Sequence, residues 1–232
     1  MPVLQSLASS ALGSLFGMRH ALEPDHLAAV STLVTRERKG YKAAFLGACW
    51  GAGHTASLLV VGAALVVLRT AMPAHVSATF EFCVALMLIA LGARAIYMAA
   101  RFGTAGPTLV HHHGDVVHSH AGVPAHLHVG RWTLARRPLI VGAIHGLAGS
   151  GALTALVLAT LPTTTQRIAY IALFGVGSTV GMAILSGLLG WPVARLGARP
   201  VIARAVSIAV GCFSIGLGLF WGYPFISQLW SR

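Results

Sequence analysis

Six apolar blocks, each long enough to cross a lipid bilayer, constrain this chain more than any other feature. They run from Val3 to Val34, Ala43 to Leu68, Ala78 to Ala100, Pro138 to Leu161, Ile168 to Ala194 and Val201 to Gln228. Hydrocarbon offers no partner to a backbone N–H or C=O, so a spanning segment must be a helix, and about 20 mostly apolar residues suffice. With 56% hydrophobic and 9% charged residues, the composition agrees. The expected fold class is an all-α polytopic membrane protein with six transmembrane helices. The N-terminal block lacks a basic leader region and a cleavage site, so it is expected to be a retained first helix rather than a signal peptide.

The formal net charge of +11 would suit nucleic acid, but the basic residues sit in short loops without interleaved aromatics. They are topology signals, and no nucleic-acid partner is expected. Arg36, Arg38, Lys39 and Lys42 follow the first block, Arg101, Arg131, Arg136 and Arg137 flank the loop after the third, and Arg195, Arg199 and Arg204 follow the fifth. Such loops stay in the cytoplasm. The opposite side carries only Arg69, Arg167 and Arg232, so both termini are expected outside a cell (inner or plasma) membrane. Cys49, Cys83 and Cys212 form no C-x-x-C pair and read as small core residues.

An internal repeat organises these blocks. G-M-R-H at Gly17 to His20 aligns with G-A-I-H at Gly142 to His145, G-A-G-H-T at Gly51 to Thr55 with G-V-G-S-T at Gly175 to Thr179, and L-G-A-R at Leu91 to Arg94 with I-G-L-G at Ile215 to Gly218, at a nearly constant offset. Three helices per half place the halves in opposite orientations, a 3+3 inverted repeat of the kind common in secondary transporters. Residues 1–101 form the first repeat, 102–137 a connecting loop and 138–232 the second repeat.

The chemistry concentrates in M-R-H-A-L-E-P-D-H, Met18 to His26. Only five acidic residues exist in the chain, and Glu23 and Asp25 lie here beside His20 and His26. Each ionisable group inside a bilayer costs several kcal/mol, about 2.5–3.5 by insertion measurements, so such a group marks function by default. On a regular helix His20, Glu23 and His26 drift around one broad face while Asp25 points elsewhere. Pro24 breaks the ladder, and an interrupted first helix lets all four converge. Imidazoles with carboxylates suit a divalent transition metal; the alternative is a buried ion-pair network with Arg19 as the cation. His54 in the second block is the next candidate ligand, with Thr55 and Ser57 available to orient its ring. His145 follows by its repeat relation to His20. Glu81 reads as a solvated acid opening the third helix.

The connecting loop carries His111, His112, His113, His118, His120, His126 and His128, with Asp115. Seven histidines in so short a stretch can hold borderline divalent metals with little selectivity and need no fixed fold. A cytoplasmic buffer, sensor or delivery segment is expected.

Helix 1 resembles the signature of the nickel/cobalt transporter family (NiCoT/NicO-like), R-H-A-x-D-A-D-H. Arg19, His20, Ala21, Asp25 and His26 match it, while Glu23 stands where the family has aspartate and Pro24 where it has alanine. Gly53, His54 and Thr55 are similar to the family's glycine-histidine-serine/threonine motif in the next helix. The acidic L-G-x-D-T motif of longer members is not found, and the chain looks closest to short six-helix nickel permeases and urease-accessory membrane proteins. The resemblance implies nickel or cobalt binding by His20, Asp25, His26 and His54.

The expected function is therefore a membrane transporter, not an enzyme, with Ni²⁺ or Co²⁺ as substrate at a midplane site and no organic cofactor. Two other readings stand beside it. One is a non-transporting accessory that stores nickel and delivers it to urease or hydrogenase maturation proteins. The other is an intramembrane zinc metalloenzyme, against which stands the lack of H-E-x-x-H.

Overall fold

Pro24 divides the first apolar block. In the computed structural model, residues 12–34, 37, 39–102, 108–113, 116–121, 126–129, 132–196 and 200–230 are described; Asp115, Arg36, Arg38, Arg131, Arg199 and Arg232 lie outside them. Residues 12–20 form helix α1, and α2 runs Pro24–Val34. Between them the ladder tightens: Leu22 N–H bonds the Arg19 carbonyl at 2.9 Å and Glu23 N–H the His20 carbonyl at 3.0 Å. Pro24 then occupies the first position of α2, where its missing N–H costs nothing, and helical bonding resumes from Leu27 N–H to the Glu23 carbonyl at 2.9 Å.

Five long helices follow: α3 Gly40–Leu68, α4 Ala74–Phe102, α5 Arg136–Thr160, α6 Thr164–Leu196 and α7 Pro200–Trp230. All five are long and apolar enough to cross a membrane. α3 has 29 residues, about 43 Å at 1.5 Å per residue, so it exceeds a hydrocarbon core of about 30 Å. It ends where Arg69 turns left-handed at φ 52°. There Arg69 N–H reaches the Val66 carbonyl at 3.2 Å and Thr70 N–H the Leu65 carbonyl at 3.1 Å, which satisfies carbonyls the helix end would leave open. At the end of α5 the Arg167 guanidinium does the same, donating to the carbonyls of Leu161 at 2.7 Å and Leu158 at 3.3 Å.

Between α4 and α5 the described backbone forms two antiparallel hairpins, β1 Thr108–His113 with β2 Val116–Ala121, and β3 His126–Val129 with β4 Trp132–Ala135. A segment for which no fixed fold was required thus has paired backbone. Its register sets His111 opposite His118, His113 opposite Val116 and His120 opposite Leu109.

The helices pack through glycines. α3 lies along both α5 and α6, and α4 along α7. Gly142 on α5 sits against the Trp50 carbonyl of α3, and Gly17 on α1 against the Phe174 carbonyl of α6. Gly53 meets the Leu139 carbonyl, and Gly177 the Ser14 carbonyl. Gly51 abuts Thr179, while Gly175 abuts Thr55. Thr55 Oγ1 donates to the Gly175 carbonyl at 2.7 Å and lies 2.8 Å from Thr179 Oγ1. Without a hydrophobic drive between helices in lipid, such close approach supplies the attraction through packing and hydrogen bonds.

A methyl group added at Gly142 would overlap the Trp50 carbonyl, whereas at Gly216 it would meet nothing within 4 Å. Gly142→Ala is expected to destabilise by about 1–3 kcal/mol, the usual cost of overpacking. Gly216→Ala should instead be neutral, or stabilising by about 0.5–1 kcal/mol because alanine restricts the unfolded chain and favours the helix. Thermal denaturation in detergent compares the two; equal losses would show that the close contact between α3 and α5 is not what holds them.

Candidate metal centre

The break at residues 21–23 brings the end of α1 and the start of α2 to the same place. His20 closes α1, and Asp25 and His26 lie in the first turn of α2. There the N–H groups of the helix end favour a carboxylate. His54 enters from α3 and His145 from α5. Asp25, His26, His54 and His145 are all buried, at 4%, 1%, 0% and 2% exposure.

Their mutual geometry is close. His26 Nδ1 lies 3.0 Å from Asp25 Oδ1, and His145 Nε2 lies 2.5 Å from Asp25 Oδ2. His20 Nδ1 lies 2.9 Å from Glu23 Oε1. An ionised carboxylate only accepts, so each of these ring nitrogens carries its proton toward an acid. The opposite nitrogen of each ring is then a lone pair. Those nitrogens, His20 Nε2, His26 Nε2 and His145 Nδ1, together with both nitrogens of His54, are buried without a protein partner. A buried polar atom left unpaired costs about 1–3 kcal/mol, and a cation that accepts several lone pairs at once removes that cost.

The rings lie close together, edge-on or tilted to one another. Ring centroids are 4.4 Å apart for His20 and His26, 5.3 Å for His20 and His54, 5.3 Å for His26 and His54, and 4.2 Å for His26 and His145. Among the described residues, two groups of three have donor atoms all within 4.8 Å of one another, His20 with His26 and His54, and Asp25 with His26 and His145. Metal–imidazole bonds are about 2.0–2.1 Å, which puts two donors on one ion about 3–4 Å apart. His26 belongs to both groups.

The site residues anticipated from the sequence therefore divide. His20, Asp25, His26, His54 and His145 come together. Glu23 is half exposed and reaches the cluster through the His20 ring, outside both groups of three. His111, His112, His113, His118, His120, His126 and His128 lie on strands β1, β2 and β3. Thr55 does not orient His54: one residue on, about 100° round the helix, its hydroxyl faces α6 and bonds Gly175 and Thr179. Trp50 was not anticipated. It is fully buried, with its ring 5.4 Å from His26 and 5.8 Å from His145, and its position four residues before His54 puts both on one face of α3.

Because His26 is common to both groups, His26→Ala should remove the tightest class of nickel binding, by 100-fold or more, whereas Asp25→Asn should weaken it by about 10–100-fold, as loss of an orienting partner does. Equilibrium dialysis on protein with the seven loop histidines changed to serine isolates the cluster. Unchanged affinity in His26→Ala would place the metal elsewhere, and thermal denaturation without metal checks that each variant folds.

Comparison with known proteins agrees with this chemistry. The chain is 31% identical over 239 residues to the urease accessory protein UreH of Bacillus sp. (strain TB-90), covering 100% of both chains. Two proteins of Arabidopsis thaliana, chloroplast proteins FOR GROWTH AND FERTILITY 1 and 2, are 28% and 26% identical; each match covers 92% of this chain, and 58% and 55% of those proteins. No solved structure matches. Residues 6–222 match the NicO family, described as high-affinity nickel-transport protein, and the chain belongs to that family of membrane proteins.

Proposed function

We propose that this chain carries divalent nickel across the membrane through a site of imidazoles from His20, His26, His54 and His145, oriented and charge-balanced by Asp25 and Glu23. The observation that carries this reading is the convergence of His20, His26 and His54 from α1, α2 and α3, with His145 of α5 drawn against His26 by Asp25 and with nitrogens of all four rings buried and unpartnered. Four neutral imidazoles replace water around the ion, and two carboxylates supply two negative charges for its two positive ones. Cobalt fits the same donors, so the choice between the two ions rests on geometry and supply. Bound imidazoles must be neutral, so acid competes with the ion and weakens binding.

Movement follows from two inverted halves, 1–101 and 138–232, joined by the histidine-rich loop 102–137, with α1 and α2 together serving as the sixth membrane element. The glycine contacts support this plan because they are reciprocal. Gly51 meets Thr179 and its repeat partner Gly175 meets Thr55; Gly53 meets Leu139 and Gly177 meets Ser14; Gly142 meets Trp50 and Gly17 meets Phe174. Contacts of residue with partner, and of partner's equivalent with residue's equivalent, are what a two-fold relation requires. Rocking of the halves then exposes the site to each side in turn. In this arrangement both termini lie outside and the loop lies in the cytoplasm, where His111, His113, His118 and His120 occupy alternate positions of two paired strands. Seven histidines within residues 111–128 make the loop a second holder of nickel.

A full-length relative named as a urease accessory protein favours a second reading, storage on the loop and delivery to a maturation partner without transport. Nickel flux into proteoliposomes of known orientation separates the two. Transport is expected to fall at least tenfold in His20→Ala and to survive deletion of residues 111–128, with the sidedness giving direction. Absence of flux in the intact chain while nickel still binds would leave the accessory reading standing.

A further inference from the structure

A cavity of about 690 Å³ opens beside the histidine cluster, and its lining is unusual for this chain. Three of the five carboxylates in the whole sequence, Glu23, Asp25 and Glu81, line it together with His20, His26 and His145. His26 and His145 are at least nine-tenths buried and present nitrogens without a protein partner, so the floor of the cavity is built to receive a cation. Glu81 is different in kind. It is exposed, it stands seven positions into α4, and it belongs to neither group of converging donors.

The surroundings of Glu81 hold it in place. Ser77 Oγ donates to Glu81 Oε1 at 3.1 Å, one turn earlier on α4. The neighbouring Phe82 ring stacks on Phe225 of α7 with centroids 4.4 Å apart, which fixes the α4 wall against the α7 wall. Pro224 lies inside α7 and has no N–H to give, so the carbonyl of Phe220 loses its helical donor. Phe220 and Pro224 both line the cavity. An acid on a lipid-facing surface is strongly disfavoured, whereas one in a watered cavity is not.

We propose that Glu81 is the first protein carboxylate a hydrated divalent cation meets, holding it through its water shell at the mouth of the cavity and passing it to Glu23 and His20, where it begins to lose water. This rests on the reading of the histidine cluster as the nickel site. The start of α4 and the end of α7 lie on the side that the basic loops assign to the exterior, so the cavity is the approach from outside.

The test is the association rate of nickel with the full-length protein in detergent, followed by stopped-flow quenching of tryptophan fluorescence; Trp50 touches the cluster and Trp221 lines the cavity. A carboxylate that steers a cation changes the on-rate and its dependence on salt. Glu81→Gln should lower the association rate by about tenfold and flatten its decline with ionic strength, while the dissociation rate stays within twofold and Glu81→Asp restores most of the rate. Glu37→Gln, remote from the cavity lining, should behave like the unaltered chain. An association rate unchanged in Glu81→Gln, or a change confined to dissociation, overturns the proposal while leaving the cluster as the nickel site. A lack of any nickel response in the unaltered chain overturns the cluster reading itself, and this proposal with it.

Discussion

The carboxylate of Asp25 accepts from two histidines on different helices, one oxygen to His26 and the other to His145, and the geometry of the centre depends on that bridge. Through it the beginning of α2 is tied to the middle of α5. The bridge also settles which nitrogen of each ring is protonated, and so which nitrogen of each is free. A carboxylate that orients imidazoles in this way raises their basicity as ligands. It also supplies charge where a divalent ion would otherwise sit in a medium of low dielectric. Glu23 acts likewise on His20 from a half-exposed position.

The bridge exists because the backbone is broken. On an unbroken helix Asp25 and His20 cannot address the same point. Three residues of irregular chain, followed by Pro24 at the first position of α2, turn the two segments so that they do. The helices around them are held by glycine contacts that allow backbone to touch backbone, and these contacts occur in reciprocal pairs. The glycine-rich run after His145 carries nothing like Glu23, Asp25 and His26, and α5 continues unbroken where the first block is interrupted.

Much of this was legible in the sequence, because ionisable residues in apolar blocks stand out and Pro24 announces the break. The sequence pattern also singled out His145, which the structure brings against Asp25 and His26. What could not be read were the relations between helices distant in the chain. Glu81 looks like an ordinary acid near a helix start, and only the approach of α7 across the cavity gives it a companion surface. Thr55 was expected to serve His54, and instead joins α3 to α6, because adjacent residues on a helix point in different directions. The first block was expected to be interrupted at Pro24, and the described residues show α1 and α2 meeting there, whereas the hairpins of the histidine-rich loop follow from a strand pattern too short to separate from a linker.

The central claim is that imidazoles from several helices together surround one nickel ion. X-ray absorption at the nickel edge measures this directly, on the chain with its loop histidines changed to serine and loaded with one equivalent of metal. The account expects a nitrogen and oxygen first shell with the outer scattering of at least three imidazoles, reduced by one in His54→Ala. An oxygen-only shell, or one containing sulfur, unaltered by substitution at His26 or His54, would contradict it.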